Sequence, residues 1–491
     1  MSKAKTWIAA IILGGTLVVP QACTLTSPGP VSMPSQTITD QDITVAVETR
    51  LMWDKIVPSH RVNVETEDGI VTLSGSVDNI LAKERASQVA QTILGVVSVV
   101  NTLTVTPPDR TDREIHGDVK EALHRDPVTD VYEIEAGVAN GIVRLWGEVE
   151  SWQEKQFAAR VAKGVRGVKE VRNDITVTYR ARSDHEIQTD VEGRLEWDVW
   201  VDSRSITVDV KNGTVILSGK VGSGAERSRA HVDAWVTGVT DVDMSGLRVA
   251  WSVRENMRRG HRYVRKSDQD VKRAVESALR YDPRVRSSGV DVEVDRGDVV
   301  LTGVVNTLRA KKAAAEDARN TAGVWDVENY IRVRLVGEWP TDGQIAEGVE
   351  EAFRRDPLIE PHEILVSVYN GRVRLRGTVD SKDEKILAED IASRVKGVAR
   401  IENDLTVGGT QSDERSDWEL RQDIQDQLWW SPFVDGSQIL IEVTDGTATL
   451  SGMVNTWTER RAAADCAYEA GATQVRNKLR VKDGGPLSLG S

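Results

Sequence analysis

The sequence predicts an α/β (α+β) fold class: tandem repeats of a small αββαβ two-layer sandwich, six copies as beads on a string. Three observations predict it: a strand phrase that recurs six times, a helix start ahead of each copy, and a glycine turn opening each phrase. The phrase is G-x-V-x-L-x-G-x-V, at Gly69–Val77, Gly141–Val149, Gly213–Val221, Gly297–Val305 and Gly371–Val379. It returns at Gly446–Val454 with Ala448 for the first Val. Its second glycines, Gly75, Gly147, Gly219, Gly303, Gly377 and Gly452, are spaced by 72, 72, 84, 74 and 75 residues. Self-similarity at such a period marks an array of units. The 491 residues, which at about 150 per domain suggest some three domains, therefore divide into six: 39–106, 111–179, 183–250, 267–335, 341–408 and 416–482.

Each unit opens with a capping box or a close variant: Thr39-x-x-Asp42, Thr111-x-x-Glu114, Ser183-x-x-Glu186, Ser267-x-x-Asp270, Thr341-x-x-Gln344 and Ser416-x-x-Glu419. Hydroxyl and acid or amide each satisfy an N–H that a first helical turn leaves without a partner. Apolar residues follow at steps of four, as in Ile43, Val47, Leu51 and in Val271, Val275, Leu279. They make one buried face of a short helix. A hairpin comes next: Asp68-Gly69, Asn140-Gly141, Asn212-Gly213, Asn370-Gly371 and Asp445-Gly446 tolerate the positive φ of a tight turn, with Arg296-Gly297 in the fourth unit. Alternation along the phrase places its Gly, Val and Leu positions on one strand face. The second Gly is thus expected to point inward and admit a closely packed helix. That second helix carries Ala82, Ala86, Val89, Ala90 and Ile93 and is expected to end at Gly95, with counterparts at Gly167, Gly238, Gly323, Gly397 and Gly471. A last strand, Val100–Val105 in the first unit, closes each sandwich. A domain of about 70 residues is marginal alone, so neighbouring units are expected to share surface.

Composition narrows the function classes. Hydrophobic residues are 40% and charged residues 28%, which fits a folded chain. The 63 basic and 76 acidic residues give a net charge of −13, which argues against nucleic acid as a partner. Two cysteines exclude a disulfide framework, a Cys-rich zinc site and an iron–sulfur cluster. Cys466 falls at a second-helix position held elsewhere by Val89, Val161 and Ile391, and reads as a buried core thiol.

The N-terminus reads as an address. Lys3 and Lys5 precede an apolar run from Trp7 to Val19, followed by Pro20-Gln21-Ala22-Cys23. A basic start, a short apolar stretch and a small residue at the cut describe a signal peptide over 1–22. Cys23 after Ala22 resembles the lipobox of bacterial lipoproteins, although Pro20 stands where that box prefers Leu. The resemblance implies lipidation of Cys23, a tether over 23–38 and a periplasmic protein anchored to a membrane, the outer one first. The alternative is cleavage nearby and a soluble exported protein.

The repeated order, the D/N-G hairpin, the strand phrase and the closing G-V…V-x-N-x-(I/L)-x-V together resemble the BON domain, the "bacterial OsmY and nodulation" module. The closing motif stands at Gly167 to Val177, Gly323 to Val333 and Gly397 to Val407, and the first unit keeps it. The third unit has Asp243 and Ser245 where Asn is expected, and the sixth reads Gly471-Ala472. The resemblance implies an exported protein of osmotic or envelope stress that binds phospholipid surfaces, with no catalytic motif to carry over.

A search for chemistry supports that. The seven histidines, His60, His116, His124, His185, His231, His261 and His362, make no HExxH pair and share no repeat position. Gly213 to Lys220 mimics a phosphate loop, but Val221 replaces the required Ser or Thr and the segment is the repeat strand. Arg296-Gly297-Asp298 is a hairpin turn. No metal site, cofactor or catalytic residue is expected. Two features suit binding. Aromatic residues gather where the first helix ends, Trp53, Trp197, Tyr281 and Trp429-Trp430, with Asp54, Asp198 and Asp282 following three of them. A Trp there suits a lipid headgroup region, or else caps its own core or fills a seam between units; Arg125 and Arg355 stand there in the second and fifth units. The spacer 251–266 holds Arg254, Arg258, Arg259, Arg262, Arg265 and Lys266 against Glu255, a basic linker suited to anionic lipid or to the acidic faces of its neighbours. The expected function is non-catalytic binding to the cell envelope, at anionic phospholipid surfaces, in stress protection. The alternative is a periplasmic protein-interaction scaffold or chaperone-like protein.

Overall fold

A computed structural model describes residues 38–54, 56–126, 128–129, 133–178, 182–250, 266–285, 289–334, 339–359, 364–407, 416–431, 433–455 and 457–481. The signal peptide, Cys23, the tether as far as 37 and Arg254, Arg258, Arg259, Arg262 and Arg265 lie outside the described residues.

Six αββαβ units follow one another. In the first, the helix Asp40–Trp53 leads into an antiparallel hairpin, Val62–Glu67 and Ile70–Val77. A second helix, Ile80–Gln91, crosses back so that a last strand, broken into Ser98–Asn101 and Thr104–Val105, pairs parallel with the phrase strand. The phrase strand is therefore central, and both helices cover one face of its sheet. Ile43, Val47 and Leu51 from the first helix meet Val71, Leu73 and Val77 from that strand and Ala82, Ala86 and Ala90 from the second helix. Alanine on the second helix keeps it close to the sheet. Each of the other five units has a core of the same composition, and Cys466 is buried in the sixth, where burial pushes its thiol up to about 11.

The capping boxes form as read in units one, two, three, five and six. The residue after each cap does more. Asp40, at the first helical position, accepts the N–H groups of Asp68 (2.8 Å) and Gly69 (2.9 Å) at the hairpin tip. Asp112, Asp184, Asp268, Asp342 and Asp417 do the same to the equivalent turn residues at 2.8–3.0 Å. The turn presents both N–H groups because both of its residues have positive φ, 50° and 73° in unit one. Arg296 adopts this conformation too, at 54°.

The closing Asn is a tie between layers. Asn101 Nδ2 donates to the Lys83 carbonyl on the second helix, and Asn173, Asn329, Asn403 and Asn477 repeat the bond at 2.7–2.9 Å. Unit three lacks it. There Arg227 on the helix donates to the Met244 and Leu247 carbonyls instead, and the strand register slips between Ile216 and Ser218.

Two expectations change. The second glycine of the phrase does not make room for a helix. A Cβ on Gly219 would lie 2.1 Å from the Ser205 carbonyl oxygen, at the entry to the neighbouring strand, and its φ is +118°. Gly75, Gly303 and Gly452 meet the same backbone approach. The second helix also stops at Gln91, short of Gly95; a helix end is set by its cap and the turn that follows, so a glycine downstream marks the turn. The six beads are in contact, as described next.

Gly219→Ala is expected to destabilise by at least about 2 kcal/mol, from left-handed strain and overpacking together. Gly117→Ala, in a helix interior with nothing within 4 Å of the added Cβ, is expected to stabilise by about 0.5–1 kcal/mol. Urea unfolding of the two variants, which should move in opposite directions, checks both.

Candidate functional site

The end of each first helix is where units meet. Trp197 packs its ring against the core of unit four, and Tyr281 packs against the core of unit three. Ala322 N–H donates to the Trp197 carbonyl (2.8 Å) and Val199 N–H to the Asn320 carbonyl (3.2 Å). The Tyr281 hydroxyl donates to Asp190 (2.8 Å), and the Arg194 guanidinium lies 4.9 Å from the ring centroid. Burial and the bond to Asp190 together raise the Tyr281 pKa. Trp430 packs in the same way on the core of unit one, where Arg50 and Arg85 pair with Glu469 of unit six.

Units two and five carry Arg125 and Arg355 at that position, and they too face each other. Arg166 N–H donates to the Arg355 carbonyl (2.7 Å), its Nη2 reaches the Asp356 and Ile359 carbonyls (2.9 Å each), and Arg125 pairs with Glu351 (2.7 Å). The pairing is palindromic along the chain: one with six, two with five, three with four. Trp197, Tyr281 and Trp430 each lie on the partner's core, and Arg125 reaches Glu351 of the partner. Further contacts cross the pairs. Trp152 stacks on Trp235 at 4.9 Å, Trp200 meets Phe433 edge-on at 4.6 Å, and Arg309 pairs with Asp126 (3.0 Å) while lying over Phe157.

The aspartate that follows the first helix in units one to five has a local task. Asp54, Asp198, Asp282, Asp126 and Asp356 accept N–H groups of the following turn at 2.6–3.2 Å. Asp54 and Asp198 also pair with Arg85 and Arg229 of their own second helices, each at 2.6 Å. Asp356 has no ion pair closer than 4.0 Å among the described residues, and burial pushes its carboxyl up to about 6.

The sequence-predicted residues therefore separate. Trp197, Tyr281 and Trp430 lie in seams. Trp53 is half-buried at its helix end, and Trp429 is 36% exposed, edge-on to Trp430 at 4.5 Å. Lys266 pairs with Glu196 (2.7 Å) and sits 4.6 Å from the Trp197 ring centroid, so this end of the basic linker is tied to unit three.

Sequence reasoning missed the outer sheet faces. On unit five, Arg372, Arg374 and Arg376 alternate outward along the phrase strand, beside Arg400, Glu402 and Asp404 on the last strand. Leu365 and Tyr369, 70% and 76% exposed, stand opposite Arg376 and Arg372. On unit six the last strand presents Arg476, Lys478 and Arg480, with exposed Leu440 and Met453 on the same sheet. Unit four is the reverse: Asp291, Glu293, Asp295, Asp298, Asp326 and Glu328 are exposed on its sheet. The signal was available as R-V-R-L-R inside the phrase, read there only for its apolar positions.

The family described as BON domain matches residues 39–107, 111–179, 183–250, 267–334, 341–409 and 416–483. The chain belongs to the BON domain family. Among curated proteins it is similar to Osmotically-inducible protein Y of Escherichia coli (strain K12), 31% identical over 145 residues, which is 28% of this chain and 71% of that protein. It is also similar to Outer membrane lipoprotein DolP of Haemophilus influenzae, 29% identical over 137 residues, 27% of this chain and 71% of that one. Among solved structures, the C-terminal domain of CdsD, a structural protein of the type III secretion system of Chlamydia trachomatis, matches 46% of this chain and 99% of its own at 16% identity, with a TM-score of 0.13. Among the described residues of this BON-domain chain, no group of three His, Cys, Asp or Glu side chains is placed to hold a metal ion.

Two outcomes follow from the seams. A chain with a protease site inserted in 251–265, once cut, should elute from gel filtration as one species; separate halves would mean that the seams do not hold units one to three on four to six. Asp356 binds its proton more tightly folded than unfolded, so its ionisation costs stability as pH rises from about 4 through 6, by about 3 kcal/mol for two pKa units. Asp356→Asn should therefore raise the melting temperature at pH 7.5 and leave it nearly unchanged at pH 4.

Proposed function

We propose that this BON-repeat protein is a non-catalytic component of the bacterial cell envelope, exported and held at a membrane through Cys23, the outer one first, which docks on anionic phospholipid surfaces and protects the envelope in osmotic stress. The observation that carries the reading is the segregation of charge: on a chain of net −13, the outer faces of units five and six carry seven basic side chains beside exposed Leu, Tyr and Met, with Arg372 and Arg374 paired to Glu402 and Asp404 on the same face and the other five exposed. Ammonium and guanidinium groups meet lipid phosphates at about 1 kcal/mol each near the surface. Flanking apolar groups enter the headgroup layer. The similar proteins support the setting, one by name osmotically inducible and the other an outer membrane lipoprotein. Two faces and the basic linker on one tethered chain raise each other's local concentration. The acidic face of unit four favours a second reading, a periplasmic scaffold that holds a basic protein.

Sedimentation with vesicles tests this on the chain from residue 24 onward. Phosphatidylglycerol vesicles should bind it and phosphatidylcholine vesicles should not. Changing Arg372, Arg374 and Arg376 to Gln together should weaken binding about a hundredfold, and deleting 251–266 measures the linker's share. Equal failure on both vesicle types would overturn the reading.

A further inference from the structure

Fourteen residues after the second glycine of the phrase, the second helix carries Val89, Val161, Ile391 and Cys466 in units one, two, five and six. Units three and four carry Asp233 and Asp317 there instead. These are the two units that pair through Trp197 and Tyr281. Each acid stands beside the aspartate that follows its unit's first helix, Asp198 or Asp282, at the end where the units touch. The helix Leu308–Arg319, which holds Asp317, leads straight into the seam. The Thr321 hydroxyl donates to the Asp317 carbonyl (2.9 Å), Thr321 bridges to Asp198 of unit three, and Asn320 and Ala322 make the backbone bonds to Val199 and Trp197.

Counter-charge is unevenly supplied. In unit three Arg194 bonds Asp233 (2.9 Å), and Arg229 bonds Asp198 (2.6 Å) with Asp233 at 3.8 Å. Unit four has Ala278 and Ala313 at the matching positions. Arg284 there bonds Asp282 (2.6 Å) and Glu316 (3.2 Å) and stands 4.0 Å from Asp317. From outside the unit, Arg229 faces Asp317 across the seam, and Arg160 of unit two faces Asp282 and Arg284. The groove that these groups line holds eight acids against six bases. Its remaining acids have partners of their own: Glu84 pairs with Lys163, Asp270 with Arg273, and Asp190 with Arg182 and the Tyr281 hydroxyl. The shortfall therefore rests on the second-helix acids. The buried Oδ2 atoms of Asp233 and Asp317 have no hydrogen-bond partner among the described residues. Burial, and then Asp282, raises the Asp317 carboxyl well above its ordinary range; burial, and then Asp198, raises that of Asp233. One proton between two neighbouring carboxyls lets one donate to the other, and without it two negative charges lie side by side out of water.

We propose that the seam between units three and four is a proton-operated latch: a proton shared by Asp317 and Asp282 closes it, and loss of that proton loosens it and frees the Trp197 and Tyr281 rings from the facing cores. A carboxyl that holds its proton more tightly in the closed seam contributes stability that is fully present below its ordinary value, about 4. That stability is lost as pH rises through the raised value.

Hydrogen exchange of the chain from residue 24 onward tests this, read by mass spectrometry over 195–201 and 318–324 and corrected for the intrinsic pH dependence of exchange. Protection there should fall about tenfold between about pH 5.5 and pH 8. Asp317→Asn keeps the shape and donates to Asp282 without a charge, so it should hold the high protection at both pH values. Asp317→Val, the residue of units one and two, should do the same. Equal protection of the parent at both pH values would overturn the proposal, as would a fall that persists in both variants. So would a matching loss of protection in the strand Asp298–Val305, because ionisation would then unfold unit four and not release it. The latch needs no lipid and exchange is read without vesicles, so its failure and failure of the envelope reading are separable.

Discussion

Each unit depends on one carboxylate. The aspartate at the first position of the first helix accepts two N–H groups from the hairpin tip, about 28 residues later in sequence. Those groups point outward from a turn whose residues both have positive φ, where the strand ladder cannot use them, and the helix N-terminus adds a favourable field for negative charge. One side chain thus fixes the height and rotation of the helix against the sheet, which places Ile43, Val47 and Leu51 over the central strand. For Asp112 the N–H groups of Gly141 and Asn140 hold the carboxyl below its ordinary range. That stabilisation is present at neutral pH and is lost as pH falls through the lowered pKa.

A unit held this way still has an unfinished end. The first helix closes with a large side chain that its own core has no room for, and about 70 residues bury too little surface to be secure alone. The chain resolves both by pairing units from its two halves. Trp197 and Tyr281 insert over each other's unit core, and Trp430 over the core of unit one. The arginine pair uses backbone carbonyls and Glu351 in their place, because a guanidinium needs acceptors where an indole needs apolar surface. What looks in sequence like an exception to an aromatic pattern is a second kind of seam.

Within a unit almost everything local was legible: the capping boxes, the helix stripes, the D/N-G turns and the strand phrase each rest on residues close in sequence. The aspartate clamp was visible as the residue after each cap, but its partners lie in another element, and spacing alone does not say that an N–H faces it. The glycine of the phrase was misread for a related reason: a side-chain alternation argument cannot see a backbone carbonyl arriving from the neighbouring strand. The seams were least legible of all. Trp197 and Tyr281 are 84 residues apart and no local pattern joins them, so a membrane-facing Trp and a seam-filling Trp read alike.

The charge pattern belongs to the same logic. Inward and seam positions are constrained by packing, and they repeat. The outward positions of the three sheet strands are free of that constraint, and there the copies diverge: Asn63, Glu65 and Glu67 beside serine and threonine in unit one, acids on each of the three strands in unit four, arginines along the phrase strand of unit five, arginine and lysine along the last strand of unit six. Surface charge sets partners and encounter rates without altering fold, so duplication of one sandwich can yield faces of opposite sign on a single body.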